Sequence, residues 1–188
     1  MSFNSWNQTL MTAQTPGSAL ANTNVATSLL PPAARFTTPA GALQFVGQKM
    51  CLRMSGVIST YVGSPGTLSL SVLFGAATVF ASGAIALNTT AQTNQTWRLD
   101  LDLDVRSVGN QQNATILGTG EFKSRAVVGS AAAGAGGGGT ALLPDTNPTV
   151  GTGFDSTVAQ VVDVFGQWSA ANPANSIQLL SYELVNCI

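Results

Sequence analysis

The stretch Thr96–Val108, TWRLDLDLDVRSV, sets Trp97, Leu99, Leu101, Leu103 and Val105 on one side of an extended chain. Arg98, Asp100, Asp102, Asp104 and Arg106 fall on the other side. A strand points successive side chains to opposite faces, so this alternation predicts a sheet with one dry face and one wet face. Wound as a helix, the same letters would scatter apolar groups around the whole circumference. Related patterns recur. Lys49–Tyr61 is rich in apolar and β-branched residues, with Gly56 at a bend or bulge. Leu68–Phe80 reads as one long strand or as a pair kinked at Gly75, and Ala84–Asn88 as a short strand. Across Ala114–Val128, the residues Ala114, Ile116, Gly118, Gly120 and Phe122 share a side. The two glycines there predict close approach of another backbone or of a large aromatic ring. Thr157–Trp168 alternates again, with Val158, Val162 and Val164 opposite Ala159, Val161 and Phe165. The last strand, Ser176–Cys187, changes phase between Leu179 and Leu180, as a β-bulge does.

Turn chemistry separates these runs at Gly63-Ser64-Pro65-Gly66, Ser82-Gly83 and Gly109-Asn110, while Asn88–Gln95 reads as a polar loop. About eight strands joined this way predict an all-β fold, an antiparallel two-sheet sandwich of the jelly-roll kind. Residues 41–188 form that β-sandwich domain. Within it, residues 129–153 read as a flexible Gly/Ala-rich loop, because GSAAAGAGGGG at Gly129–Gly139 has a high entropic cost of ordering. That glycine run is not a phosphate cradle, since no Lys-Ser or Lys-Thr follows it.

Residues 1–40 differ: they hold Pro16-Gly17 and Pro31-Pro32 and show no sustained period. They read as an extended N-terminal arm with spaced apolar anchors that lies along a neighbour. Trp6, Leu29, Leu30 and Phe36 are the expected interface contacts. An ordinary first strand or a frayed terminus is the plainer alternative.

Composition sharpens this picture. The apolar share of 45% can supply a core, but charged residues make up only 8%, about a third of the usual quarter. A surface resting on Ser, Thr, Asn and Gln is weakly hydrated and is covered at little cost, which favours a subunit of an assembly over a free monomer. The net charge is −1 and the seven Lys and Arg form no basic stretch. Nucleic acid is therefore not an expected partner. Met1–Ala34 has no continuous apolar run of the kind a secretory signal carries. Met54–Trp97 carries no charge, yet its most apolar piece, Val72–Leu87, is broken by Gly75, Ser82 and Gly83. That piece falls short of the roughly 20 residues of a spanning helix, so no membrane is expected either.

Candidate chemistry is sparse. Histidine is absent, which removes the commonest general base and transition-metal ligand. The row Asp100, Asp102, Asp104 is the one acidic cluster. Its outer members stand about 13 Å apart on a strand, too far to share one Ca²⁺ with bonds of about 2.3–2.6 Å. A solvated face is the better reading, with Arg98 and Arg106 flanking and Arg53, Lys123 or Arg125 across the sheet. Glu183 has no second acid for a glycosidase pair, and no Ser or Thr has a visible activator. Trp97 belongs to the core phase, whereas Trp168 ends a strand and sits in the core or at its rim, with a loop-end site that stacks on sugars as the alternative. Cys51 and Cys187 are compatible with two half-buried thiols or with a bridge between the first long strand and the last. The chain therefore reads as a non-enzyme with no catalytic residues, no cofactor and no metal site.

The segments SWNQTLMTAQTPGSALANTNVATSLLPP, GQKMCLRMSGVIST, TLSLSVLFG, ALNTTAQTNQTWRLDLDLDVRSVG, TGFDSTVAQVVDVFGQWS and NSIQLLSYELVN together resemble small structural proteins of tailed-bacteriophage virions. The resemblance spans nearly the whole chain and implies a jelly-roll capsid decoration or head-fibre-like appendage protein. It implies a virion localisation after assembly in the host cytoplasm. The implied partners are further copies of the chain, as a homotrimer, and virion proteins such as the major capsid protein. The alternative is a receptor- or glycan-binding module of a tail or head fibre, with a host glycan as ligand. The quoted segments carry no chemistry, so no functional residue is transferred.

Overall fold

A computed structural model describes residues 7–130 and 139–187. In chain order the strands are β1 (Asn7–Thr12), β2 (Leu20–Ala21), β3 (Thr27–Ser28), β4 (Phe36–Thr38), β5 (Lys49–Thr60), β6 (Thr67–Phe74) and β7 (Ala77–Ala81). They continue as β8 (Ile85–Leu87), β9 (Gln92–Ser107), β10 (Thr115–Ser124), β11 (Val127–Ser130), β12 (Thr140–Leu143), β13 (Gln160–Trp168) and β14 (Ser176–Cys187). Apart from a single 3-10 turn at Pro32–Ala34, the described residues hold no helix. Two seven-stranded antiparallel sheets result. The first runs β1-β14-β5-β9-β10-β12 with β2 added to β14; the second runs β11-β8-β6-β13-β3 with β4 on β13 and β7 on β6. From β5 onward the chain passes repeatedly from one sheet to the other.

The alternation along β9 does what its letters predict. Trp97, Leu99, Leu101, Leu103 and Val105 are all buried, and they meet Leu68, Leu70, Val72, Phe74, Val162 and Val164 from the second sheet in one core. β9 lies at the centre of the first sheet, paired with β5 on one side and β10 on the other. Trp97 stacks on Phe122 with ring centroids 5.5 Å apart. Its indole Nε1–H donates to the Val57 carbonyl at 3.1 Å and lies 3.3 Å from the Gln178 carbonyl. Gly56 makes this approach feasible. A Cβ at that position would sit 1.9 Å from the Gln178 oxygen and 2.9 Å from the indole nitrogen. The bulge falls on the neighbouring strand, where the β14 register shifts between Leu179 and Ser181 and turns Leu180 out to solvent. Gly118 and Gly120 make the expected close approaches. Gly118 receives the ring of Phe80 from the second sheet, and Gly120 faces the Asp100 carbonyl of β9.

One open alternative is decided, and two expectations need correction. Leu68–Phe80 is two strands, β6 and β7, turned at Gly75 with φ +59°. Ala114–Val128 is also two, because the turn Arg125-Ala126 ends β10 and carries the chain into β11 of the other sheet. Residues 140–153 are held to the sandwich: β12 pairs with β10, and isolated bridges join Leu117 to Val150 and Ala114 to Phe154. The rest of the proposed flexible loop, residues 131–138, lies outside the described residues.

Residues 7–40 extend both sheets. β1 and β2 pair with β14, while β3 and β4 pair with β13. A polar latch fastens the segment. Asp163 on β13 accepts the Ser28 hydroxyl at 2.5 Å and pairs with Arg35 Nε at 3.0 Å. Its own strand also supplies the Val164 amide at 2.8 Å. Asp163 is buried, so replacing it by Ala leaves Arg35 and Ser28 without their acceptor. Asp163→Ala is expected to cost about 1.5–3 kcal/mol, the range for hydrogen bonds to a charged group, with early loss of amide protection over residues 27–36. Chemical denaturation and hydrogen exchange read both effects.

Cys51 and Cys187 are joined, with Cα atoms 6.0 Å apart at a sequence separation of 136. Adjacent pairing of β5 and β14 brings them together on the outer face of the first sheet. A cross-link over so long a loop restricts the unfolded chain strongly. Replacing both cysteines by Ser is expected to lower unfolding free energy by about 2–4 kcal/mol, and an unchanged denaturation midpoint would show that the bridge contributes nothing. Tyr182 offers the opposite case. Its hydroxyl is buried without a hydrogen-bond partner, and burial pushes the phenol above its ordinary pKa, with the charge of Asp163 adding to the effect. Tyr182→Phe removes an unsatisfied polar atom, so stability measured the same way is expected to hold or rise.

Candidate functional site

The four anticipated anchor residues do not form one exposed surface. Leu29 and Leu30 are buried within the core of their own chain, at 0% and 3% exposure. The Leu29 amide donates to the Val164 carbonyl at 2.8 Å, which turns both leucines toward the sandwich. Phe36 is half-buried against the same core. It lines a cavity of about 380 Å³ with Leu10, Leu43 and Met50. Trp6 lies outside the described residues. Leu29 and Leu30 therefore hold the N-terminal segment to its own sandwich, contrary to the reading that exposes them as contacts on a neighbour.

Charge is distributed unevenly over the two outer faces. Period-two alternation sends Arg98, Asp100, Asp102, Asp104 and Arg106 of β9 outward. Lys49 and Arg53 of β5, Glu121 and Lys123 of β10 and Glu183 of β14 join them. The ion pairs differ in part from those read from sequence. Lys49 Nζ takes up the acidic row, 3.0 Å from Asp102 and 3.7 Å from Asp104. The hydrogen bond to Asp102, followed by the charges of Asp102 and Asp104, raises the Lys49 pKa above its ordinary value. Arg53 stands opposite Asp100 in register but reaches Glu183 at 3.8 Å. Lys123 bonds Glu121 on its own strand and faces Arg98 across the ladder. These pairs are half exposed, so each contributes under about 1 kcal/mol. Glu183 also accepts from the Thr9 hydroxyl at 3.2 Å.

The outer face of the second sheet is different in kind. β6 presents Thr67, Ser69, Ser71 and Leu73; β13 presents Val161, Phe165 and Gln167. The one acid that β13 turns outward, Asp163, is buried beneath Arg35 and neutralised by it. Val161 is 41% exposed and Val158, just before the strand, 48%. Between the Arg35–Asp163 pair and the sheet edge, this face offers hydroxyls, an amide and apolar groups. It is the weakly hydrated surface that composition called for, gathered on one side of the molecule.

Among the described residues, no group of three or more His, Cys, Asp or Glu side chains converges as a metal site of those ligands would require. Trp168 is 1% exposed and its Nε1–H donates to the Leu20 carbonyl at 3.2 Å. It is a core residue, as the favoured reading of its position has it, and does not line a loop-end sugar site. Asp155 has a structural task. It accepts from the Thr157 hydroxyl at 2.5 Å and from the amides of Gln111 and Thr157 at 2.8 Å each. Those bonds hold its carboxyl below the usual range and tie the β9–β10 turn to the chain entering β13.

What the sequence reading missed is a cationic cleft. Arg98, Lys123 and Arg125 line one cavity of about 590 Å³ near the end of the β9–β10 ladder. Separated by 25 or more positions, Arg98 and the other two meet only through strand register, so no basic run marks them in the chain.

No family model matches the chain, and no curated protein matches it. Among solved structures it is similar to the CBM2 module of the evolved Dit of Lactobacillus casei BL23 phage J-1. The two share 10% sequence identity over 81% of this chain and 68% of that one, with a TM-score of 0.36. A likeness that slight transfers neither residues nor activity.

Proposed function

We propose that the chain is a structural protein of a bacteriophage virion, a capsid decoration or head-appendage subunit. It associates with copies of itself, as a homotrimer, and with other virion proteins such as the major capsid protein. The observation that carries this reading is the segregation of charge. The first sheet's outer face holds the Asp row and its cations, while the second sheet's outer face is close to charge-free. Interface centres are depleted in charged residues relative to the remaining surface, and burying hydroxyls and valines costs far less than burying ions. The resemblance of the sequence to virion structural proteins supports the same conclusion. Docking through a rigid sheet face replaces the anchor residues as the contact, since Leu29 and Leu30 already fill the core. Several copies attached at once multiply a modest single-site affinity.

Sedimentation of the purified protein is expected to give one species at a small multiple of the 19.2 kDa chain mass. Val161→Asp combined with Gln167→Lys places two charges on the exposed second face without touching the core. That variant is expected to shift the population toward monomer while melting normally. A wild-type monomer at every concentration overturns self-association through this face.

A further inference from the structure

We propose that the cleft where the β9–β10 ladder meets β11 binds an anionic saccharide unit, one carrying a phosphate or carboxylate group. Three of the chain's seven cations, Arg98, Lys123 and Arg125, line this one cavity. Arg98 and Lys123 stand directly opposite each other in the antiparallel register. Like charges so placed destabilise a sheet, and an anion held between them removes that cost. Lys123 is tied to Glu121. Arg98 and Arg125 have no carboxylate partner among the described residues. Two guanidinium forks are therefore open to a phosphate or carboxylate, whose oxygens they match two at a time.

The rest of the cleft fits a small hydroxylated ligand. Its volume of about 590 Å³ lies within the roughly 300–1,000 Å³ of small-molecule pockets. Half-buried Val128 contributes apolar surface, and Asn88 and Thr96 provide amide and hydroxyl groups at the rim. Nucleic acid fits less well. A bound strand needs cations tracking its backbone and exposed aromatic faces for its bases, whereas Trp97 is 1% exposed. This inference does not rest on the virion reading, which depends on the opposite face.

The test is an NMR titration of the full-length protein with glucose 1-phosphate and glucuronate, with glucose, inorganic phosphate and a short oligothymidylate as comparison probes. Saturable shifts are expected for the two anionic sugars, confined to amides of residues 96–98 and 123–128, with none for glucose. Arg98→Gln combined with Arg125→Gln is expected to weaken binding by about tenfold or more. Arg53→Gln, on the same sheet but outside the cleft, is expected to leave binding unchanged. Arg98→Gln alone is expected to raise the melting temperature at low salt, because it removes the like-charge opposition. The proposal is overturned by absence of saturation, by equal weakening in Arg53→Gln, or by a lowered melting temperature in Arg98→Gln. Tighter binding of oligothymidylate than of glucose 1-phosphate overturns it as well, as does inorganic phosphate binding as tightly as the sugar phosphate.

Discussion

Everything in this molecule is organised around the period-two burial of β9 at the centre of the first sheet. Once Trp97, Leu99, Leu101, Leu103 and Val105 face the core, their neighbours have no choice of side. The three aspartates and two arginines must face water, and so must whatever β5 and β10 place beside them. A slip of one residue would bury five charges and expose five large apolar groups. Core stability and surface electrostatics are thus two consequences of one register. The concentration of ions on this face is also what leaves the second sheet's outer face almost without them.

Glycine and the N-terminal segment make that register workable. Gly56 admits the Trp97 indole and the Gln178 carbonyl, and Gly118 admits the ring of Phe80. The first contact ties β5, β9 and β14 together within the first sheet, and the second joins β10 to β7 of the other sheet. Residues 7–40 then close the sandwich by adding β1 and β2 to one sheet and β3 and β4 to the other. Leu29 fills the core beneath β13, and Asp163 binds Ser28 and Arg35 above it. The cross-link between Cys51 and Cys187 secures β14 to β5 on the outside of the first sheet. A segment of this kind completes a fold before it reaches any partner.

How legible this was in the letters depends on the range of the interaction. β9, the phase change in β14 and the close approaches at Gly118 and Gly120 are local patterns of alternation or missing side chains, and they were readable. The break between β10 and β11 falls at Arg125-Ala126, where no Gly or Pro marks a turn, so it was hidden. β2 and β3 are two residues each, too short to show any period. Leu29 and Leu30 therefore read as anchors on an extended arm, when long-range pairing of β3 with β13 puts them in the core. The cationic cleft was invisible for the same reason: Arg98 meets Lys123 only because the hairpin register sets them opposite.

A chain whose ions gather on one face and whose other face carries hydroxyls and valines would have an inside and an outside in the assembly proposed for it. In that proposal the nearly uncharged sheet is the side that a neighbour covers without stripping water from ions, and the ionic sheet, with its cleft, stays in solvent. Electron cryo-microscopy of an intact particle containing this protein tests that polarity most directly. Density with β6 and β13 turned against adjacent subunits and the β9 aspartates toward solvent is the predicted result. Density with the aspartate face buried against a neighbour, and β6 and β13 exposed, would contradict it.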